Sequence, residues 1–236
     1  DAGDLNSYSG SGQTWNDLSG GGYNFNRGTT TSSEASDPTF NGTAGRQSSG
    51  EYFSYDGGDY FTLAQSYPAW VNSFHKAGAK FTILQWGYLN GITSLTPDAM
   101  ALGDFPINGV GMQLGLSSST LRALEFVVSA GGSFPLDLNS TATLNNNAWN
   151  FAGLSVDITA GNVIFQINGT TETHTGRSYS SPSSSDAGAT LQLGSLGGND
   201  TPDASGCRLA ASMFWDVALS GANLLALYNA TKTRFG

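Results

Sequence analysis

Along residues 207–215 apolar and polar side chains alternate. Cys207, Leu209, Ala211, Met213 and Trp215 fall on one side, and Arg208, Ser212 and, just beyond, Asp216 fall on the other. A period of two is the mark of a strand that buries one face. The period then changes. Ser220 can cap a helix in which Leu224, Leu227 and Tyr228, with Leu225 beside them, recur at helical spacing. Lys232 and Arg234 fall in its last turn, where positive charge suits the helix dipole, and Asn223 stands where an acid would complete a capping box.

The same alternation predicts strands upstream. Residues 79–88 carry large side chains on both faces, Phe81 and Ile83 against Leu84, Trp86 and Tyr88, as a central strand of a packed sheet does. Met112, Leu114 and Leu116 alternate, as do Leu124, Phe126 and Val128, and then Phe134, Leu136 and Leu138. Leu154, Val156 and Ile158 turn at Ala160-Gly161-Asn162 into Val163, Phe165 and Ile167, and Asn168-Gly169 is a second hairpin turn. Tyr23 with Phe25, residues 38–40, and Leu191 with Leu193 add shorter strands. Tyr52 to Phe61 reads as a hairpin about Asp56-Gly57-Gly58-Asp59, where the two acids serve either the turn or a calcium ion. Residues 68–76 form a short helix with Pro68 in its first turn, Trp70 and Phe74 on one face and His75 at the surface. Trp15 and Leu18 read as a packed pair, and residues 176–188 as an exposed, mobile loop. Many short strands without internal repeat or composition change predict one all-β domain over 1–236.

Composition narrows the function. The 236 residues carry a formal net charge of −9 with only 11% charged residues, which excludes a partner as acidic as nucleic acid or an anionic membrane surface. No stretch approaches the roughly 20 apolar residues that span a bilayer. Cys207 is the single cysteine, so no internal disulfide forms, and its place on an apolar strand face predicts a buried, inert thiol.

Four stretches together resemble a known family. The strand of residues 207–215 followed by Ala218-Leu219-Ser220, a short helix and a closing Arg234-Phe235-Gly236 is similar to the end of laminin-G-like domains in the concanavalin-A-like jelly rolls. Asp1-Ala2-Gly3, Ser7-Tyr8, Gly10-Ser11-Gly12, Trp15 and Asp17-Leu18-Ser19-Gly20 resemble their opening. Residues 53–61 and 149–169 resemble two internal elements. In that family a strand precedes the Asp-Ala-Gly, and it is missing from this sequence, so the expectation is a segment of something longer. The resemblance implies a jelly-roll β-sandwich of two antiparallel sheets with a short C-terminal helix on its flank. It also implies a non-enzymatic, lectin-like module on the surface of a virus particle, as capsid decoration or as a tail-fibre receptor-binding domain. Its partners would be other virion proteins, copies of itself and a cell-surface glycan. The alternative is a secreted bacterial carbohydrate-binding or adhesion module attached to a larger enzyme or surface protein.

The residues themselves speak against catalysis. Glucanases of this fold need a run of Glu-x-Asp-x-Glu on one strand, whereas Glu34, Glu51, Glu125 and Glu172 stand far apart. His75 and His174 cannot make a zinc site without further ligands, and no phosphate-cradling glycine motif is present. Binding is the open possibility. Trp70, Tyr88 and Asn199 are candidates for a glycan, and Asp98, Asp104, Asp200 and Asp203 for calcium, which the domain would use without requiring it. The sequons at Asn41, Asn139, Asn168 and Asn229 are weak signals in a chain this rich in Ser, Thr and Asn.

Overall fold

Almost every period-two segment becomes a strand, and the strands divide between two antiparallel sheets packed face to face. The computed structural model describes residues 1–65, 68–91, 100–102 (backbone only), 109–117, 120–195 and 205–235. In chain order the first strands are β1 (Thr14–Trp15), β2 (Phe25–Arg27), β3 (Thr39–Asn41), β4 (Tyr52–Ser54) and β5 (Phe61–Leu63). Helix α1 (Ala69–Asn72) runs into a 3-10 turn, and β6 (Lys80–Leu89), β7 (Met100–Leu102), β8 (Val110–Leu116), β9 (Ala123–Ala130) and β10 (Leu136–Thr143) follow. The chain then forms β11 (Ala148–Asp157), β12 (Asn162–Ile167), β13 (Thr170–His174), β14 (Leu191–Leu193), β15 (Arg208–Trp215) and helix α2 (Gly221–Thr231). One sheet has the order β1-β2-β5-β14-β7-β8-β9-β10 and the other β13-β12-β11-β6-β15-β4-β3. This is the jelly-roll sandwich with a C-terminal helix that the sequence predicts.

The core has two layers. Between the sheets lie Phe53, Phe61, Phe81, Ile83, Phe126 and Leu154, all essentially without solvent contact. On the outer face of the β6 sheet a second layer joins Leu84, Trp86 and Phe151 to Leu224 of α2, with Tyr228 and Phe235 packed against it. Burial on both faces explains why β6 is apolar throughout. Ser220 caps α2 by accepting a hydrogen bond from the Asn223 amide, so the cap forms without the acid.

The two ends of the chain meet on this layer. Arg234 Nη1 donates to both carboxylate oxygens of Asp1 at 2.8 and 2.7 Å, and its Nε donates to the Ser48 carbonyl at 2.9 Å. A Cβ on Gly3 would sit 2.6 Å from the Arg234 guanidinium, so glycine leaves the room the side chain needs. Phe235 stacks on Trp86 with centroids 4.5 Å apart. The opening Asp-Ala-Gly and the closing Arg-Phe are therefore two halves of one clasp. Arg234→Ala is expected to lower unfolding stability by about 2 kcal/mol, leaving a partly buried carboxylate without its cation. Arg234→Lys keeps the charge but loses the guanidinium's separate donors to the Ser48 and Glu51 carbonyls, and urea titration should show it recovering less than half of that loss.

Several expectations are corrected. A bulge between Leu209 and Ala211 reverses the phase of β15. Cys207 and Leu209 face the inter-sheet core, but Ala211, Met213 and Trp215 pair with Trp86, Leu84 and Thr82 on the helix side, and Ser212 and Phe214 turn inward. Tyr52 to Phe61 is no hairpin: β4 belongs to one sheet and β5 to the other, and the Asp56–Asp59 turn carries the chain between them. There the Asp59 carboxylate accepts from the Asp56 amide at 2.8 Å, which is turn chemistry. Leu18 is 52% exposed while Trp15 is buried, so they are no packed pair, and Phe134 is exposed. His75 is fully buried rather than at the surface. Residues 176–188 are anchored by Tyr179, whose buried hydroxyl donates to the Phe74 carbonyl, and by the Ala187 amide, which donates to Asn72.

Candidate binding sites on the sandwich

Tyr88 sits at the centre of an aromatic cluster that the register assembles. On the outer face it lies between Trp149 of β11 and Arg208 of β15, its direct cross-strand partners. The Trp149 ring is edge-on to Tyr88 at 5.7 Å and to Tyr52 of β4 at 5.8 Å. The Arg208 guanidinium lies 4.4 Å from the Tyr88 ring centre and 4.8 Å from that of Tyr52. All four side chains are half-buried. Arg208 makes no ion pair among the described residues. Two tyrosine faces hold its stem and plane in place while the charge goes without a carboxylate. Flat aromatic surface beside a fixed, uncompensated guanidinium suits a ligand with an apolar face and an anionic group, which the planar fork can bind through two hydrogen bonds.

Trp70 lies elsewhere. It packs edge-on against Tyr23 at 5.0 Å and Phe74 at 5.3 Å, and it lines a groove of about 940 Å³ that runs beside residues 211–216. The groove mouth carries Asp17. Burial would raise the Asp17 pKa, but hydrogen bonds from Ser19 and the Tyr23 amide outweigh it and hold the carboxyl below its usual range. The structure thus separates Trp70 from Tyr88 rather than bringing them into one site. Asn199, Asp98, Asp104, Asp200 and Asp203 lie outside the described residues. Among the described residues no group of three or more His, Cys, Asp or Glu side chains could hold a metal.

Three of the four glutamates hold loops or strands together. Glu34 accepts from the Thr29 and Thr30 amides, and Glu51 from the Ser48 amide and hydroxyl at 2.7 Å. Glu172 of β13 accepts from Thr141 of β10 and from His174, joining an edge of one sheet to an edge of the other. Asn168 stands at a positive-φ turn with its side chain turned inward. Its carbonyl oxygen accepts from the Phe151 amide and its amide donates to Asn150, so the sequon there is used by the fold.

Sequence reasoning reached Tyr88 but missed Tyr52, Trp149 and Arg208. They are 36, 61 and 120 residues from Tyr88 in sequence and become neighbours only through the β11-β6-β15-β4 order. The aromatic character of each was visible. Their convergence required the register.

Comparison with known proteins gives the fold a place. The chain aligns over 97% of its length with Trypanosoma rangeli sialidase in complex with sialic acid, at 11% identity and a TM-score of 0.62, while spanning only 33% of that chain. It aligns over 75% of its length with a Ruminococcus gnavus sialidase CBM40 bound to α2,3-sialyllactose, at 15% identity and a TM-score of 0.57, spanning 96% of that chain. The binding domain of botulinum neurotoxin DC in complex with SialylT matches at 16% identity and a TM-score of 0.51, over 73% of this chain and 40% of that one. At these identities the likeness is one of fold. A search of the curated proteins returns no match. In sequence, the family described as the concanavalin A-like lectin/glucanases superfamily matches residues 55–224, most of the described sandwich. This chain belongs to the concanavalin A-like lectin/glucanases superfamily.

Proposed function

We propose that this domain is a non-catalytic, lectin-like module that binds an acidic glycan at Tyr52, Tyr88, Trp149 and Arg208. The observation that carries the reading is the Arg208 guanidinium, held between two tyrosine rings beside a tryptophan and without an ion pair among the described residues, in a chain of net charge −9. In an acidic protein such a cation is more valuable to an anionic ligand than to the fold. Two of its fold neighbours are complexes with sialylated sugars, and a third is a complex with sialic acid, which supports a carboxylated sugar as the ligand class. A non-catalytic role is supported by the glutamates, three of which are committed by hydrogen bonds to loops and strand edges.

The setting we infer is the surface of a virus particle, as capsid decoration or a tail-fibre domain, on the strength of the opening and closing motifs. A bacterial binding module attached to an enzyme is favoured by one specific observation: the chain spans 96% of the R. gnavus sialidase CBM40, over 75% of its own length. Electron microscopy of the parent particle separates the two, since density for the domain on shell or tail is expected in one case only.

A glycan array tests the binding. Signals are expected for sialylated or uronic-acid glycans, with neutral counterparts weaker by tenfold or more, and unchanged by EDTA because the four side chains need no metal. Arg208→Gln should remove the preference for acidic glycans, since one charge-assisted fork is worth about 1.5–3 kcal/mol. A flat array with and without EDTA would sink the lectin reading, and loss of signal in EDTA alone would move the site to the acidic loops.

A further inference from the structure

The aromatic cluster around Arg208 is one end of a longer row. Directly paired residues share a face of a sheet, so successive pairings line up side chains across it. Trp149 pairs with Tyr88, Tyr88 with Arg208, Arg208 with Ser54, and Ser54 with Thr39. The row thus crosses β11, β6, β15, β4 and the edge strand β3. Neighbouring strands lie about 4.8 Å apart, so four steps cover about 19 Å, several times the width of one sugar ring. Its chemistry changes along the way. Rings fill the β11 end, the guanidinium stands in the middle, and hydroxyls carry the row on to β3.

The hydroxyl end is held in place. Asn41, opposite Tyr52, donates through Nδ2 to the Thr39 carbonyl at 2.9 Å and to the Ser54 hydroxyl at 3.0 Å, and that hydroxyl donates to the same carbonyl at 3.3 Å. Both N–H groups of the carboxamide are used, which leaves its oxygen to accept from a ligand hydroxyl. Thr39 is exposed, and Asn41 and Ser54 are half-buried. None of these side chains is a carboxylate, so nothing on the row repels an anion. At the other end β12 begins to pair with β11 only at Ala152, so the row stops at Trp149.

We propose that the acidic sugar at Arg208 is the end of an oligosaccharide whose next residues lie along Ser54, Asn41 and Thr39 and leave the domain over β3. The inference rests on the glycan-binding reading of Arg208 and adds to it a length, a direction and a second set of contacts. Stacking and charge hold the terminal sugar, and fixed polar groups meet the hydroxyls of those that follow. The direction follows from the row, which ends beside the rings and continues past the cation on one side only.

The test is a calorimetric titration with two probes, α2,3-sialyllactose and the methyl α-glycoside of sialic acid. The proteins are the native chain, Arg208→Gln, Asn41→Ala, and the double variant Thr39→Ala with Ser54→Ala. The native chain is expected to bind sialyllactose about tenfold more tightly than the methyl glycoside, as one or two further neutral hydrogen bonds provide. Asn41→Ala and the double variant should each remove most of that advantage and leave the methyl glycoside unchanged, whereas Arg208→Gln should weaken both probes. The double variant keeps the Thr39 carbonyl that Asn41 uses, and it gives the reading should Asn41→Ala fail to fold. Equal affinity of the native chain for the two probes would overturn the extended site and leave Arg208 standing. So would equal weakening of both probes by Asn41→Ala and by the double variant. Binding of neither probe by the native chain would remove the extended site and the Arg208 site together.

Discussion

Gly153→Ala is expected to abolish folding or to cost at least about 4 kcal/mol, the range reached only by a forced backbone or core rearrangement. A Cβ at position 153 would lie 2.0 Å from the Ile83 carbonyl oxygen and 2.8 Å from the Leu84 Cα. Both atoms belong to the backbone of β6, which is held between β11 and β15 and packed on both faces. Neither neighbour can retreat without opening a ladder or a core layer. Gly132→Ala is the control. Gly132 has φ of 96° but open space around it, so alanine there meets only the backbone cost of about 1–2 kcal/mol. Circular dichroism and urea titration of the two variants should therefore differ sharply. Similar, mild losses would show that β6 and β11 are not packed as described.

The second large effect is a pair of opposing pH dependences. Burial, aided by the Lys76 charge and opposed by Asp186, lowers the His75 pKa to about 4 from 6.5. Among the described residues neither ring nitrogen has a hydrogen-bond partner, so the neutral ring is the form the site accepts. As pH falls through 6.5 the unfolded chain takes up a proton that the folded chain refuses until about pH 4, and stability is lost across that window. Burial also acts on Asp59 and raises its pKa to about 6 from 3.8, with Asp56 and Asp37 adding repulsion against the opposing Asp56 amide bond. Here the folded chain holds the extra proton, so stability is gained as pH falls from about 6 to 3.8. Each contribution is on the order of 3 kcal/mol, and in the native chain they nearly cancel. His75→Leu is therefore expected to grow more stable between pH 6.5 and 4.5, and Asp59→Asn less stable, when each is unfolded in urea. Parallel profiles for the two variants would contradict the assignment.

The architecture was legible because period-two patterning survives wherever one sheet face is buried. β6, β8, β9, β11 and β12 are where alternation and turn chemistry place them. Three kinds of feature were not legible, each for a physical reason. A bulge changes the phase of a strand without changing its composition, so Met213 and Trp215 were placed with Leu209 and lie opposite it. A short turn looks the same whether it joins two strands of one sheet or carries the chain to another sheet, as Asp56–Asp59 does. Burial of a polar ring such as His75 is set by what packs over it in the fold, and nothing in its sequence neighbours announces this. The candidate site fails to appear for a related reason. Arg208 reads as the polar side of an amphipathic strand, and only the pairing of four strands shows that two tyrosine rings hold it, with Trp149 packed on both.

The most direct test is a calorimetric titration of the native chain and of Arg208→Gln with α2,3-sialyllactose and with lactose, which differ by the acidic sugar. Binding of sialyllactose by the native chain alone, tenfold or more tighter than lactose, is the predicted result. Equal affinity of the two proteins for sialyllactose, or of the native chain for the two sugars, would contradict it.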